Sequence, residues 1–300
     1  MLKVAWNEHY AHELPEGHRF PMEKYVLLPQ QLLHEGTMER ENFFNPSEVS
    51  EERVLRIHTR EYLDKLLKKR LTRKEERATG FPLSDKLVKR ELIITQGTIE
   101  AVDHAFENGV SANIAGGTHH AFRDRGEGFC LLNDIAIGSA YAIEEMGLKQ
   151  ILVVDLDVHQ GNGTAKIFEE DSRVFTFSLH GEKNYPLRKE NSDLDIALPD
   201  GTEDQEYLEI LHKTLPELIS DVRPELIFFQ SGVDVLESDK LGRLALTLQG
   251  CKKRDEIVFN ETKKHGIPVV FNMGGGYSKK IAVIIEAHAN TYRTAREFYF

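Results

Sequence analysis

The sequence predicts a single α/β domain with a central parallel β-sheet and helices on both faces. Short apolar runs alternate with amphipathic segments over much of the chain, and such alternation is typical of a parallel sheet between two helical layers. No Pro/Gly/Ser-rich linker or internal repeat divides the 300 residues. The 40% hydrophobic content is sufficient for one large core. We therefore predict that residues 1–300 form one domain.

The individual elements are predicted from apolar runs for strands and from helical spacing or capping residues for helices. Asn133 or Asp134 is expected to cap one helix, and Pro29 lies inside another. The highly charged residues 70–90 are expected to include a surface loop. The predicted strands are 2–6, 111–115, 150–154, 174–179, 226–231 and 268–273, and the predicted helices are 21–34, 59–71, 84–108, 133–146, 164–170, 204–222, 249–265 and 279–300.

Charge and cysteine content exclude several classes of protein. The net charge of −11 argues against direct nucleic-acid binding, which needs a basic face, but it leaves a cationic substrate open. Cys130 and Cys251 form no CxxC pattern, so no disulfide framework is expected. Residues 1–10 lack the apolar core of a secretory signal, and no run reaches the ~18 apolar residues of a membrane span. We expect a cytoplasmic protein, and the sequence does not indicate its oligomeric state.

The segment Asp155 to Gly163 (DLDVHQGNG) carries the chemistry of a metal ligand set. The apolar run 150–154 leads directly into it and predicts a buried parallel strand. Alternate residues of an extended segment point the same way, so Asp155, Asp157 and His159 can share one face. Two carboxylates and an imidazole suit a divalent metal ion. A structural turn rich in aspartate is the alternative.

Adjacent histidines follow the predicted strand 111–115 in the motif GGTHHA, residues 116–121. The two glycines permit a close approach of the backbone. His119 and His120 can supply a general base and a general acid, each tuned by the partner of its second nitrogen. A metal-binding pair or a pair that is only packed in the core remains the alternative.

Two later strand ends supply a carboxylate and a phenol. Asp234 follows the strand 226–231 and can be a third metal ligand, with a turn cap as the alternative. Tyr277 ends a GGGY motif after the strand 268–273, and its phenol can donate to a developing oxyanion. A phosphate cradle is disfavoured because the Lys-Ser/Thr ending of a P-loop is missing. Since ligands of parallel sheets bind beyond the carboxyl ends of the strands, we expect these groups to meet.

Phe129 lies in the motif GEGFCLLND, residues 126–134, which follows the histidine pair. Its ring can line an apolar channel for an extended substrate. A phenylalanine that belongs only to the core explains the same residue equally well. The sequence alone therefore leaves both roles open for this position.

Six motifs in order resemble the zinc-dependent histone deacetylase family: GGTHHA, GEGFCLLND, DLDVHQGNG, SLH, GVD and GGGY. They extend over residues 116–277, about half of the chain. The resemblance implies the arginase/deacetylase fold and a histone-deacetylase-like catalytic domain over residues 1–300. Gln160, Asn162 and the segment 234–242 are most similar to the class IV branch and its bacterial relatives.

The resemblance also implies a role for each site residue. Asp157, His159 and Asp234 would bind zinc and leave an open position for water. His120 matches the general base, and Tyr277 matches the donor to the acyl carbonyl. The remaining implied catalytic residues are His119, which stays near the leaving group, Asp155, which orients His119, and Asn162, which pairs with His120. Many members have Asp in place of Asn162, and a neutral amide should raise the basicity of His120 less.

Cation and substrate contacts are implied as well. A structural potassium or sodium ion would use Asp155, Ser178, Leu179 and the backbone carbonyls of Asp157 and His159. A second potassium site aligns near Phe168, Asp171 and Val174. The implied substrate contacts are Gly128, Phe129, Gly275 and Gly276, and Arg19 would line the inner cavity through which acetate leaves.

The implied activity is removal of an acetyl or longer fatty acyl group from lysine side chains of proteins or peptides by a metal-activated water. Small acylated amines such as acetylpolyamines are the alternative substrates. A binuclear ureohydrolase is disfavoured because its D-x-H-x-D motif has Gly161 here, and because Val235 and Leu236 follow Asp234. A non-catalytic module that binds acyl-lysine is disfavoured because every catalytic position is filled.

Overall fold

A parallel eight-stranded sheet forms the centre of the computed structural model, which describes residues 1–300. Its strands are β1 (Lys3–Ala5), β2 (Phe43–Phe44), β3 (Val110–Asn113), β4 (Ile151–Asp155), β5 (Val174–Gly181), β6 (Leu194–Leu198), β7 (Leu226–Gln230) and β8 (Val269–Asn272). They lie in the order β2-β1-β3-β8-β7-β4-β5-β6. Every neighbouring pair is parallel.

Ten α-helices cover the sheet on both faces. They are α1 (Lys24–His34), α2 (Glu51–Val54), α3 (Arg60–Leu67), α4 (Arg73–Thr79), α5 (Asp85–Asn108), α6 (Asp134–Glu144), α7 (Asn162–Phe168), α8 (Asp204–Val222), α9 (Leu248–His265) and α10 (Ile281–Tyr299). Adjacent residues of β7 demonstrate the two layers, because Phe228 packs beside Gly138 of α6 and Phe229 packs on Phe259 of α9. The predicted single-domain α/β fold is therefore confirmed.

Burial of both faces explains the composition of the central strands. Every residue of β4, β7 and β8 is buried, and the sequences ILVVD, LIFFQ and VVFN lack the alternation of a half-exposed strand. The edge strand β6 alternates instead, as its residues Leu194–Leu198 are exposed on one side. Among the helices, none combines the length and the apolar composition that crossing a membrane would require.

Four elements were not predicted from the sequence: α2, α4, β2 and β6. Residues 70–90 were expected to include a surface loop, and residues 80–84 are such a loop between α4 and α5; the helix α4 itself was not predicted, and it has a capping box between Thr72 and Glu75 and ends at Gly80 with φ of 78°. The two-residue strand β2 and the edge strand β6 were not predicted. Asn133 caps α6 as expected, since its side chain accepts a hydrogen bond from the amide of Ala136 at 2.9 Å.

The strand order gathers the predicted motifs at one edge of the sheet. The strands that precede them, β3, β8, β7 and β4, are consecutive neighbours. Their last residues are in register, so that Asn272 is paired with both Asn113 and Gln230, and Gln230 is paired with Asp155. The four following loops therefore begin at the same level and can place their side chains around one point.

Candidate active site

A buried cluster of one imidazole and two carboxylates lies at the carboxyl edge of the sheet. Asp157 and His159 come from the loop after β4, and Asp234 comes from the loop after β7; each offers one donor atom, and the three atoms lie within 4.8 Å of one another. His159 Nδ1 lies 2.9 Å from Asp157 Oδ1 and 3.1 Å from Asp234 Oδ2. Asp155, which the spacing placed on the same face, instead turns towards His119.

Backbone amides hold both carboxylates in place. Gly275 N donates to Asp157 Oδ2 at 2.8 Å, and Val158 N donates to Asp234 Oδ1 at 3.0 Å. The close approach requires glycine at position 275, because a Cβ there would collide with the Asp234 carboxylate. Asp234 Oδ2 is buried and accepts no hydrogen bond, although it contacts His159. Apart from this contact with His159, the oxygen has no protein partner and can bind a further positive group.

The adjacent histidines have different hydrogen-bond acceptors. His119 Nδ1 lies 2.7 Å from Asp155 Oδ2, and His120 Nδ1 lies 2.6 Å from Asn162 Oδ1. Since a carboxylate or an amide oxygen only accepts, each histidine carries its hydrogen on Nδ1 and directs Nε2 elsewhere. The two rings lie 4.1 Å apart between centroids, so they can act on the same reacting group.

These surroundings move the two imidazole pKa values in opposite directions. Burial lowers the pKa of His120 well below its ordinary value, and the neighbouring histidines lower it further. Burial also opposes charge on His119, but the Asp155 carboxylate more than compensates and raises the pKa of His119. When the surroundings lower the pKa of one group and raise that of its neighbour, the first group is suited to act as a base and the second as an acid. A proton is therefore favoured on His119 over His120.

The cluster itself favours a positive charge. The carboxylates of Asp157 and Asp234 outweigh the effect of burial and raise the pKa of His159 to about 10. Burial and the neighbouring Asp157 raise the pKa of Asp234 to about 7. Two buried carboxylates without a cation between them would repel each other, so a proton or a metal ion at this point is stabilising.

Tyr277 follows the glycine loop after β8 and packs with its ring 6.4 Å from that of His159. Burial raises the pKa of its phenol well above the ordinary value, so the hydroxyl keeps its proton and remains a donor. Asp239 fixes the backbone at this residue, as Tyr277 N donates to Asp239 Oδ2 at 2.6 Å. From the other side, Lys24 Nζ lies 5.5 Å from the Tyr277 ring and donates to Gly274 O at 3.1 Å.

Two connected spaces lead to this cluster. The inner cavity is lined by His119, His120, Asp157, His159 and Tyr277, together with Arg90, Gly128, Phe129 and Gly275. The mouth is an outer cavity of about 450 Å³ that also reaches His120, His159 and Tyr277. Gly128 and Phe129 line both spaces. Phe129 therefore forms the wall between mouth and inner cavity, where a channel residue was predicted.

Two predicted substrate or cavity contacts lie elsewhere. Gly276 lines neither space, because it faces Val233 and His288 on the far side of its loop. The prediction for Arg19 is wrong: its guanidinium lies 5.0 Å from the Phe129 ring and lines the mouth rather than the inner cavity. The exposed position of Arg19 in the loop before α1 explains the difference.

The side chains proposed for a monovalent cation lie together beneath the cluster. Asp155 ends β4 and is paired in register with Ser178 of β5. Asp155 Oδ1 accepts a hydrogen bond from Asp157 N at 3.2 Å, and the Ser178 hydroxyl lies 3.0 Å from His180 Nδ1. Leu179 is buried in the same strand. The cation itself stays a prediction.

Three residues that support the site were missed by sequence reasoning, of which Arg254 and Lys24 are buried and Asp239 is half-buried. Arg254 of α9 is fully buried and donates to the carbonyls of Leu156 and Gly232, so it ties together the loops after β4 and β7. Lys24 and Asp239 hold the loop of Tyr277. Arg254 lies in a charged run, KKRDE, that is typical of an exposed helix face, and no local pattern distinguishes it.

The parallel sheet and the buried Asp-His-Asp site at its carboxyl edge define the arginase/deacetylase class of proteins. The histone deacetylase domain matches residues 18–292 of the chain. A solved structure of an HDAC homologue complexed with SAHA superimposes with a TM-score of 0.85 at 26% identity, covering 99% of this chain and 84% of that chain. The predicted fold family is thereby confirmed.

Curated relatives agree with this assignment. Histone deacetylase 2 of Arabidopsis thaliana is 31% identical over 277 residues, which cover 89% of this chain and 72% of the relative. An uncharacterized protein of Picosynechococcus sp. is 43% identical over 297 residues, 99% of both chains. The chain belongs to the histone deacetylase family. Its kinship with the class IV branch remains a prediction.

Proposed function

We propose that this chain is a zinc-dependent amide hydrolase that removes acetyl or longer fatty acyl groups from lysine side chains of proteins or peptides. The observation that carries the proposal is the meeting of Asp157, His159 and Asp234 with the histidine pair and Tyr277 around one cavity. Membership in a family of deacetylases supports the reaction class.

Zinc fits the residues that are present. Carboxylate and imidazole donors are common zinc ligands, and three protein ligands leave an open position at a catalytic zinc. The free Oδ2 atom of Asp234 and the site's preference for positive charge agree with a bound dication. When bound, zinc would supply Lewis acidity that polarises the acyl carbonyl and acidifies a water molecule.

The proposed reaction begins with His120. Its Nε2 carries no hydrogen because Nδ1 donates to Asn162, and its lowered pKa keeps the ring neutral. His120 therefore takes a proton from water while the water oxygen attacks the acyl carbon. Asn162 stabilises the imidazolium that forms less than an aspartate would, because its side chain is uncharged.

Tyr277 and His119 complete the proposed reaction. The protonated phenol of Tyr277 donates a hydrogen bond to the oxyanion of the tetrahedral intermediate, a contribution of about 3–4 kcal/mol for one such donor. His119, whose pKa the Asp155 carboxylate raises, lies beside His120 and gives a proton to the lysine nitrogen as the carbon–nitrogen bond breaks. The products are a carboxylate and a free amine.

The geometry at Gly161 opposes a ureohydrolase. That chemistry requires an aspartate at position 161 to bridge a second metal ion. A Cβ at position 161 would collide with Asp155 Oδ2 and lie 3.3 Å from His119 Nδ1. A side chain there would therefore disturb the hydrogen bond between Asp155 and His119, which supports the mononuclear arrangement.

We also propose a structural monovalent cation at Asp155 and Ser178, with Leu179 and the carbonyls of Asp157 and His159 as further ligands. The pairing of Asp155 with Ser178 at adjacent strand ends supports it. Potassium is the expected ion, with sodium as the alternative. Dialysis into buffers that contain only potassium, sodium or a large organic cation should change the activity if the site is filled.

The test of the proposed function is hydrolysis of lysine peptides that carry acetyl, octanoyl or myristoyl groups, with metal content measured on the same sample. We expect acyl release and about one zinc per chain. The order of rates will show how deep the acyl pocket is. Hydrolysis of acetylpolyamines but of no peptide would contradict the lysine substrate, and bound zinc without any turnover would contradict catalysis.

A further inference from the structure

The mouth of the site carries a charge opposite to that of the whole chain. Four cationic side chains line it, Arg19, Arg77, Lys183 and Arg243, and Glu127 is the one carboxylate among the lining residues. The whole chain has 38 basic against 49 acidic residues. A substrate that approaches the site therefore leaves a negative surface and meets a positive opening.

The single acidic residue of the mouth is already engaged. Glu127 Oε1 accepts a hydrogen bond from Arg125 Nε at 2.8 Å, and Glu127 Oε2 accepts one from the Tyr185 hydroxyl at 2.8 Å. Both carboxylate oxygens thus have partners from the protein. Glu127 is poorly placed to attract the ammonium groups of a cationic substrate.

Two of the cations have no counter-ion. No carboxylate lies within 4.0 Å of the guanidinium group of Arg19 or of Arg77. Instead, Arg19 lies over the ring of Phe129. Arg77 Nε donates a hydrogen bond to the backbone carbonyl of Arg73. Lys183 and Arg243 share one carboxylate, Asp200, at 3.9 Å and 3.2 Å. The mouth therefore has an excess of positive charge that the protein does not neutralise.

We propose that the mouth selects acyl-lysine peptides in which acidic residues flank the acyl-lysine. The four cations come from separate segments: the loop before α1, the helix α4, and the loops after β5 and β7. One or two of these cations would be enough to bind a small anion. A peptide that lies across the opening can place a carboxylate near several of them at once. This inference rests on the proposed function and excludes cationic acetylpolyamines as good substrates.

The preference is tested with three peptides that each carry one acetyl-lysine, flanked on both sides by glutamates, alanines or lysines. Exposed ion pairs are individually weak, so several are needed for a preference of about tenfold in kcat/KM for the acidic over the neutral peptide. The lysine-flanked peptide and an acetylpolyamine should be the poorest substrates. The preference should shrink as salt is raised, since exposed charges are screened.

A matched pair of variants identifies the cause. Arg19→Gln with Arg77→Gln should reduce the ratio of kcat/KM for the acidic peptide to kcat/KM for the neutral peptide to about twofold or less. Lys213→Gln with Lys253→Gln removes the same charge from exposed helical positions outside both cavities. That control variant should keep the full preference.

Failure of the inference differs from failure of the proposed function. If the neutral peptide is hydrolysed and the acidic peptide is no better than the lysine-flanked one, the inference is wrong while the deacylase stands. If no peptide is hydrolysed, the proposed function is wrong. In that case, fluorescence anisotropy with labelled peptides still tests the inference by comparing the Kd of the acidic peptide with that of the basic peptide. Equal or weaker binding of the acidic peptide would overturn the inference.

Discussion

The floor of the site, formed by Asp157, His159, Asp234 and the histidine pair, differs from the mouth in how its residues are held. The floor residues follow three strands of the sheet, β3, β4 and β7, and each is buried with a partner at a fixed distance. The mouth is formed by loops and one short helix, and its cations are exposed. The difference teaches that the sheet fixes the geometry of the buried cluster, whereas the loops and α4 determine the charge of its opening.

The strongest test of the floor removes one metal ligand. Asp157→Ala should lose bound metal and turnover together, with a larger loss than the roughly 10–100-fold typical of residues that only support a ligand. Zinc content and hydrolysis should be measured on the same sample, with Asp200→Ala, an exposed carboxylate that lines neither cavity, as a control that keeps both. An active Asp157→Ala enzyme with full metal content would refute the ligand set.

The next largest effect is expected at Tyr277. Tyr277→Phe removes a buried donor without changing the ring, so kcat should fall about 10²-fold or more while zinc is retained. Tyr185→Phe is the matched control, since Tyr185 also lies beside His120 but donates to Glu127. If the two substitutions changed kcat equally, Tyr277 would not be the donor that stabilises the oxyanion.

A substitution of Arg254 tests whether the hydrogen bonds between α9 and the loops after β4 and β7 stabilise the protein and position the site. Arg254→Met leaves Asp255 buried without its ion pair, which should lower the free energy of unfolding by about 3–5 kcal/mol. Urea denaturation measures the loss. Arg254→Met with Asp255→Leu should recover most of the stability but not the turnover, because the Leu156 and Gly232 carbonyls still lack their donor. Full recovery of turnover would contradict a positioning role.

The smallest expected effect is a change in pH dependence. Asn162→Asp places a carboxylate against His120 Nδ1, which raises the pKa of His120 by about one unit or more. A higher pKa protonates the base at higher pH, so the acidic limb of kcat/KM should move upward. Asn191→Asp adds the same charge at an exposed position and should leave the profile unchanged. An unmoved profile in Asn162→Asp would exclude His120 as the base.

Most of the floor could be predicted because its motifs are local. Each candidate residue follows an apolar run that ends at the carboxyl edge of the sheet. The order of apolar runs and polar residues along the chain was therefore sufficient to predict that these residues lie close together. The pairing of His119 with Asp155 and of His120 with Asn162 was predicted from the family resemblance, and the structure places these atoms within hydrogen-bonding distance.

The supporting and outer residues could not be predicted in this way. Lys24 and Arg254 are buried cations whose partners are backbone carbonyls distant in sequence, and no local pattern records such contacts. The strand β2 is too short, and the strand β6 too exposed, to give the apolar run by which the other strands were predicted. The helix α4 could have been found, because Thr72, Glu75 and Gly80 together are a capping box and a C-terminal glycine.

The end of α4 has a consequence for the width of the channel. The carbonyls of Ala78 and Thr79 accept hydrogen bonds from the amides of Gly128 and Phe129 at 3.0 Å and 2.7 Å. These are terminal carbonyls that a helix cannot satisfy by itself. The channel wall thus completes the helix, and an outward movement of Phe129 would break these two hydrogen bonds. The position of the channel wall at Phe129 is therefore set by the folding of α4.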